Sequence, residues 1–260
     1  MKNKMKWPEW IMLIRHDTSE YNLQKGLKDG DRLYQMFLSS WNKSHNSKET
    51  QNLARQIAKK YALIESDSKT KLADSDGKQP LLTGQKLSGL YEIPDVIFCS
   101  PYVRTQKTLE HLICGWPALS EVKVLYEERI REQEHGLGTI FGDWRAFQSL
   151  FPEQKLLYDK EGRYRYRHPQ GENVPDVRLR NQSWLSTVTR DFAGKRVLVI
   201  THHLTILAMR ANLERLDENQ FIALDEKEKP INSGVTLYTG NPTIGTEGRL
   251  ELTYYNKKYY

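Results

Sequence analysis

An α/β fold is what this sequence predicts: a three-layer α/β/α sandwich around a mostly parallel central sheet, with a helical insertion after the first strand. Three observations predict it. The apolar runs IMLI (11–14), VIFC (96–99) and VLVI (197–200) are continuous rather than alternating, which fits strands buried on both faces, as in a parallel sheet. Each is followed by a segment with helical patterning, the alternation expected of an α/β architecture. The chain has 260 residues, enough for one sizeable core or for one domain carrying a large insertion, and is read as a single domain over 1–260.

Between Leu23 and Pro80 the pattern changes. "DRLYQMFLSSW" places Leu33, Phe37 and Trp41 on one helical face, and "SKETQNLARQIAKKYALI" places Leu53, Ile57 and Tyr61 on another, with Ser47 as its cap. Two amphipathic helices are therefore expected within a 24–80 insertion that covers the strand ends as a cap. The polar stretch "ESDSKTKLADSDGKQP" (65–80) is read as a mobile loop. After VIFC, "SPYVRTQKTLEHLI" reads as a helix that Ser100 can cap, with Pro101 in its first turn. After VLVI, "THHLTILAMRANLERL" is apolar at helical spacing. The tail "YYNKKYY" reads as a frayed or edge-strand terminus.

Composition narrows the function. Hydrophobic residues make up 38% and charged residues 28%, as in an ordinary globular protein, and no run approaches the ~20 apolar residues of a membrane-spanning helix. The lysine-rich start has no signal-peptide core. The formal net charge of +6 suits anionic small molecules; no Arg/Lys run is dense enough to favour nucleic acid. Cys99 and Cys114 both sit in apolar settings and are read as small buried hydrophobes, which points to a reducing cytoplasm. No metal-ligand cluster or cofactor motif is visible, and oligomeric state has no signature.

The chemistry lies at the strand ends. IMLI is followed by Arg15 and His16, VIFC by Ser100 and then Arg104, and VLVI by Thr201, His202 and His203. In open α/β sheets, ligands bind beyond the carboxyl ends of the strands. If the three strands are neighbours, Arg15, Arg104, His16 and His202 converge there, beside helix N-termini. Two guanidiniums and two imidazoles suit a dianionic phosphoryl group, because arginine offers permanently charged, bidentate donors. A neutral imidazole can attack phosphorus, and an acid must then protonate the leaving oxygen. "RIREQEHGLG" (129–138) offers Glu132 and Glu134 for that role.

These residues carry a resemblance. "RHDTSEYN", "SPYVRTQKTL", "REQEHG", "GRYRYRHPQGENVPDVRLR", "VLVITHHLTI" and "NSGVTLY" resemble, in order, the signature segments of the histidine phosphatase superfamily, which includes the phosphoglycerate mutases; they are most similar to its broad-specificity phosphatase branch. The resemblance implies His16 as nucleophile and Glu132, four residues before Gly136, as proton donor. It implies Arg15, Arg104 and His202 as the phosphoryl clamp, Asn22 as a further pocket contact with Ser19 beside it, and no metal or cofactor. His203 is expected to line the pocket.

Two positions depart from the pattern: Asp17 and His203 stand where the family has glycine. An inward carboxylate at 17 would repel a phosphoryl group, so its side chain is expected to point away, toward a cation or a helix N-terminus, and to orient His203 or an arginine. The implied function is hydrolysis of small phosphomonoesters through a phosphohistidine. The alternatives are a phosphoglycerate mutase, which the resemblance disfavours because those enzymes carry a longer segment between the acid and the G-E-S motif, and a phosphoryl-binding protein that has lost turnover.

Overall fold

The computed structural model describes residues 6–63, 65–73 and 77–260. In chain order it runs β1 (Trp10–Arg15), α1 (Glu20–Lys28), α2 (Arg32–Lys43), α3 (Lys48–Tyr61), α4 (Lys78–Ser88), β2 (Val96–Cys99), α5 (Val103–Gly115), β3 (Val124–Tyr126), α6 (Trp144–Leu150), α7 (Pro152–Arg165), α8 (Val174–Asp191), β4 (Arg196–Thr201), α9 (His203–Glu214), α10 (Glu218–Lys227), β5 (Val235–Asn241) and β6 (Arg249–Lys257). The sheet order is β3-β2-β4-β1-β5-β6. The first four strands are parallel, β5 is antiparallel to β1, and β6 is the edge strand beside β5. The apolar runs are thus the three adjacent central strands, β2, β4 and β1.

Alternate residues of these strands feed two cores, as the period-two side-chain geometry of a strand requires. Ile11, Leu13, Val197 and Val199 pack with Trp184, Leu185 and Val188 of α8 and Ile206 and Met209 of α9. Met12, Ile14, Leu198 and Ile200 pack on the other face with Leu87 of α4 and Leu109 and Leu112 of α5. Each fully buried Leu or Ile contributes about 1.5–3 kcal/mol, so a continuous apolar run is what a strand covered on both faces needs. A separate cluster joins Tyr34, Phe37, Leu53, Ala54, Ile57 and Tyr61 to Ala146 of α6. Ser47 accepts the backbone N–H of Thr50 and caps α3, as expected.

Four local expectations are corrected. Ser100 does not cap α5; the cap position is Tyr102, without a side-chain bond, because the Ser100 hydroxyl is engaged by His202. Cys99 is buried but Cys114 is exposed, since it falls on the outer side of α5. Residues 65–73 form a strap pinned by backbone hydrogen bonds from Glu20 to Lys71 (3.0 Å) and from Ala73 to Thr18 (2.8 Å), rather than a mobile loop; residues 64 and 74–76 lie outside the described residues. The insertion boundary at 80 falls inside α4, which packs on α5 as part of the sandwich. The tail forms β6, and beyond it Tyr260 donates its hydroxyl to the Asn232 carbonyl at 2.7 Å.

Candidate active site

Register brings the strand ends level. Arg15 lies opposite Thr201, and Cys99 opposite Ile200. The next residues continue the alignment: His16 N–H donates to the Thr201 carbonyl at 2.9 Å, and Ser100 N–H to the Ile200 carbonyl at 3.0 Å. His16 and His202 are therefore side by side, their ring centroids 5.2 Å apart in an edge-to-face arrangement, and both are buried. The His16 Nδ1 donates to the Asp17 carbonyl at 2.6 Å, since a carbonyl can only accept. Burial, then the charges of Arg104 and Arg15, hold the His16 pKa well below the usual imidazole value. That favours the neutral ring, with its proton on Nδ1 and a lone pair on Nε2.

The cations surround this pair. Arg15 Nη1 donates to the Pro230 carbonyl at 2.7 Å, while its Nε is buried with no partner among the described residues. Burial pulls the Arg15 pKa down from its ordinary value, and Glu132 is the strongest charge opposing that. Arg104 is buried, its guanidinium lies 4.8 Å from the Tyr102 ring centroid, and it is the largest charge acting on both His16 and His202. His202 shares a 2.7 Å hydrogen bond with Ser100 Oγ through Nε2, and its buried Nδ1 has no partner among the described residues. Burial, then Arg104 and His16, push its pKa well down.

The two acidic candidates occupy different places. Glu132 Oε1 accepts the N–H of Leu204 at 3.2 Å, in the first turn of α9, and that of Gln133 at 3.0 Å. Glu134 is exposed and accepts Arg131 Nε at 3.0 Å. Their segment is pinned to the "HPQGE" stretch by the N–H of Glu172 donating to the Glu134 carbonyl at 2.8 Å. Gly136 makes that approach possible: its φ is +49°, and a Cβ there would meet the Pro169 carbonyl oxygen at 2.1 Å. Above the strand ends is an open groove of about 380 Å³ whose lining includes Ser66, Asp67, Tyr102, Glu134 and His135.

Ser19 and Asn22 meet near His16, in the cap of α1. Asn22 N–H donates to Ser19 Oγ at 3.3 Å, and Asn22 Oδ1 accepts Ser19 N–H at 3.2 Å. Asn232 ties this cap to the nucleophile's backbone, its Nδ2 donating to the His16 carbonyl at 2.9 Å and to Asn22 Oδ1 at 3.3 Å. His203 Nε2 pairs with the buried Asp225 carboxylate at 2.8 Å, and Arg163 also pairs with Asp225. Asp225 was not singled out in the sequence as a partner for His203. Asp17 Oδ1 accepts the N–H of Thr18 at 2.7 Å, and its charge acts on Tyr260. Among the described residues, no group of three or more His, Cys, Asp or Glu side chains is arranged to hold a metal ion.

Sequence reasoning did not single out Ser100 as the partner of His202, Tyr102 as the ring beside Arg104, or Asn232 as the tie to His16. All three lie within the motif segments, two in "SPYVR" and one in "NSGVT". It also missed Asp67, which no periodicity or motif marks: Arg104 donates to it through Nη1 and Nη2, both at 3.1 Å.

A chain with two imidazoles and two guanidiniums at the ends of adjacent parallel strands has the layout of a phosphoryl-transfer site. The sequence profile of the Histidine phosphatase superfamily (branch 1) matches residues 57–234, and the chain belongs to that superfamily. It is 30% identical over 144 residues to phosphoglycerate mutase-like protein AT74 of Arabidopsis thaliana, covering 53% of this chain and 43% of that protein. It is 30% identical over 118 residues to AT74H of the same plant, covering 42% and 40%. The chain therefore spans less than half the length of these relatives. Among solved structures it is similar in fold to mycobacterial glucosyl-3-phosphoglycerate phosphatase (TM-score 0.61, 17% identity, 96% of this chain and 99% of that one). It is also similar to the alpha-ribazole phosphatase of Shigella flexneri (TM-score 0.65, 12% identity, 95% and 96%). No described helix is long and apolar enough to cross a membrane.

Proposed function

We propose that this protein is a phosphatase of small phosphomonoesters that works through a phosphohistidine at His16. The observation that carries the reading is the geometry of His16: its Nδ1 is bound to the Asp17 carbonyl, which leaves Nε2 without a partner among the described residues, in a ring set edge-to-face against His202 and held toward its neutral form by burial and by Arg104 and Arg15. In the first step Nε2 attacks phosphorus, the ester P–O bond breaks, and Glu132 gives its proton to the leaving oxygen. In the second, Glu132 takes a proton from water as that water attacks phosphorus, the P–N bond breaks, and inorganic phosphate leaves. The unpartnered Arg15 Nε and His202 Nδ1 supply donors for the phosphoryl oxygens. For Nδ1 of His202 to carry a proton, the Ser100 hydroxyl donates to Nε2. The place of Glu132 at the N-terminus of α9 supports it over Glu134, which is tied to Arg131. Ser19 and Asn22 support the nucleophile's loop, and His203 with Asp225 forms the wall beyond it.

Helices α2 and α3 and the 65–73 strap serve as a cap over the strand ends, and the protein is read as cytoplasmic, with no nucleic-acid partner. The test is a hydrolysis screen over phosphorylated metabolites, including glucosyl-3-phosphoglycerate and alpha-ribazole phosphate, with His16→Ala as control. Release of phosphate by the native enzyme, falling by about 10⁴-fold or more in His16→Ala, is the expected result. Undiminished turnover in that variant removes the reading. Transfer of phosphate to a second hydroxyl in place of water would favour the mutase.

A further inference from the structure

We propose that Asp67 is a positioning residue for Arg104: from the strap it grips one fork of the guanidinium and so aims the other fork at the phosphoryl group, an inference that rests on the phosphatase reading. The strap makes this contact from the cap side. Arg104 Nη1 donates to the Asp67 carbonyl at 2.6 Å and to Oδ1 at 3.1 Å, and Nη2 donates to Oδ2 at 3.1 Å. The guanidinium has five N–H donors. Asp67 takes both hydrogens of Nη1 and one of Nη2. The Nε hydrogen and the second Nη2 hydrogen are left, and together they form the side-on fork, which matches two phosphoryl oxygens.

A carboxylate on a phosphate-binding arginine could instead be a competing anion. The electrostatics of the site argue against that. Arg104 is the largest charge on both buried imidazoles, yet Asp67 is not among the main charges acting on either. The Asp67 charge falls on Tyr21, Tyr102 and His135, which places it on the outer side of the guanidinium. The strap is also fastened to the nucleophile's side, through Ala73 to the Thr18 carbonyl and Glu20 to the Lys71 carbonyl. It spans the two walls of the site and supplies Ser66 and Asp67 to the groove. A free arginine side chain has rotamer entropy to lose on ordering. The ion pair with Asp67 removes much of that loss before substrate arrives, which is preorganisation.

The test is a double-mutant cycle read by binding of inorganic phosphate, using calorimetry on the full chain. Asp67→Asn is expected to weaken phosphate binding about tenfold in the native background and less than twofold in an Arg104→Gln background. Asp67→Ala should match Asp67→Asn, and Asp67→Glu should restore part of the affinity. Unchanged or tighter binding in Asp67→Asn overturns the proposal, the second outcome making Asp67 a competing anion. An equal loss in both backgrounds also overturns it, because Asp67 would then act on the strap and not through Arg104. The titration involves no turnover, so a native enzyme that hydrolyses no ester would refute the phosphatase reading while leaving this test decisive.

Discussion

Arg15 and Arg104 reach the same imidazole pair, but the regions that hold them differ. Arg15 ends β1 and rests on a backbone carbonyl, that of Pro230. Arg104 rises from the first turn of α5 and is held by a carboxylate from the strap. The floor of the site is sheet register: three neighbouring strands stop at one level, and the next residue or two of each carries the chemistry. On the cap reading proposed above, the roof is α2, α3 and the strap, resting on their own apolar cluster and on a few polar ties. A floor built this way is rigid and set by the core. A roof built this way is joined to the floor by the strap's backbone hydrogen bonds and the Asp67–Arg104 ion pair, so it can differ in shape and charge without disturbing the sandwich.

The largest effects are expected at the two carboxylates. Glu132 belongs to the floor, bonded to the start of α9, and Glu134 to the rim. Glu132→Gln should slow hydrolysis of alkyl phosphates by 10²–10⁴-fold and aryl phosphates with good leaving groups far less. Glu134→Gln should leave both nearly unchanged. Finding the leaving-group dependence in Glu134→Gln instead would move the acid from floor to rim.

A smaller effect sharpens the floor's dependence on pH. His16 and His202 are buried with pKa values below the ordinary value. The unfolded chain takes up protons near pH ~6.5 that the folded protein refuses. Stability is therefore complete above that value and lost as pH falls below it. Each imidazole contributes a slope of about 1.4 kcal/mol per pH unit in that window. Urea midpoints measured at pH 7.5, 6.5 and 5.5 should fall at the lowest pH, and less so in His16→Gln. A midpoint that stays level down to pH 5.5 would show that these rings accept protons in the folded state.

The smallest effect is expected at Asp17. Its N–H donates to Thr108 Oγ1 at 2.9 Å, a backbone bond that glycine at 17 retains, and its carboxylate accepts the Thr18 N–H. Asp17→Gly restores the family pattern and should change phosphate affinity by less than about threefold, under 1 kcal/mol. A tenfold gain would mean that the carboxylate weakens the clamp.

The sequence by itself determined the three central strands, the residues that follow them and the helices of the insertion. A strand buried on both faces must be continuously apolar, and an amphipathic helix must repeat its apolar residues near every third or fourth position, so both leave a local signature. Leu53, Ile57 and Tyr61 were legible for that reason, and the motif segments marked His16, Arg104, Glu132 and His202. Only the tertiary structure decided the partners. Ser100 reads locally as a helix cap, yet the β2–β4 register puts its hydroxyl on His202. Asp225 carries no mark in the sequence, yet it is buried against His203. Asp67 lies in a polar run without period, and it meets Arg104 across 37 positions of chain. Hydrogen bonds and ion pairs between distant segments depend on where the backbones cross. No local pattern records such a crossing, because the residue types that make it are the same ones that would otherwise face water.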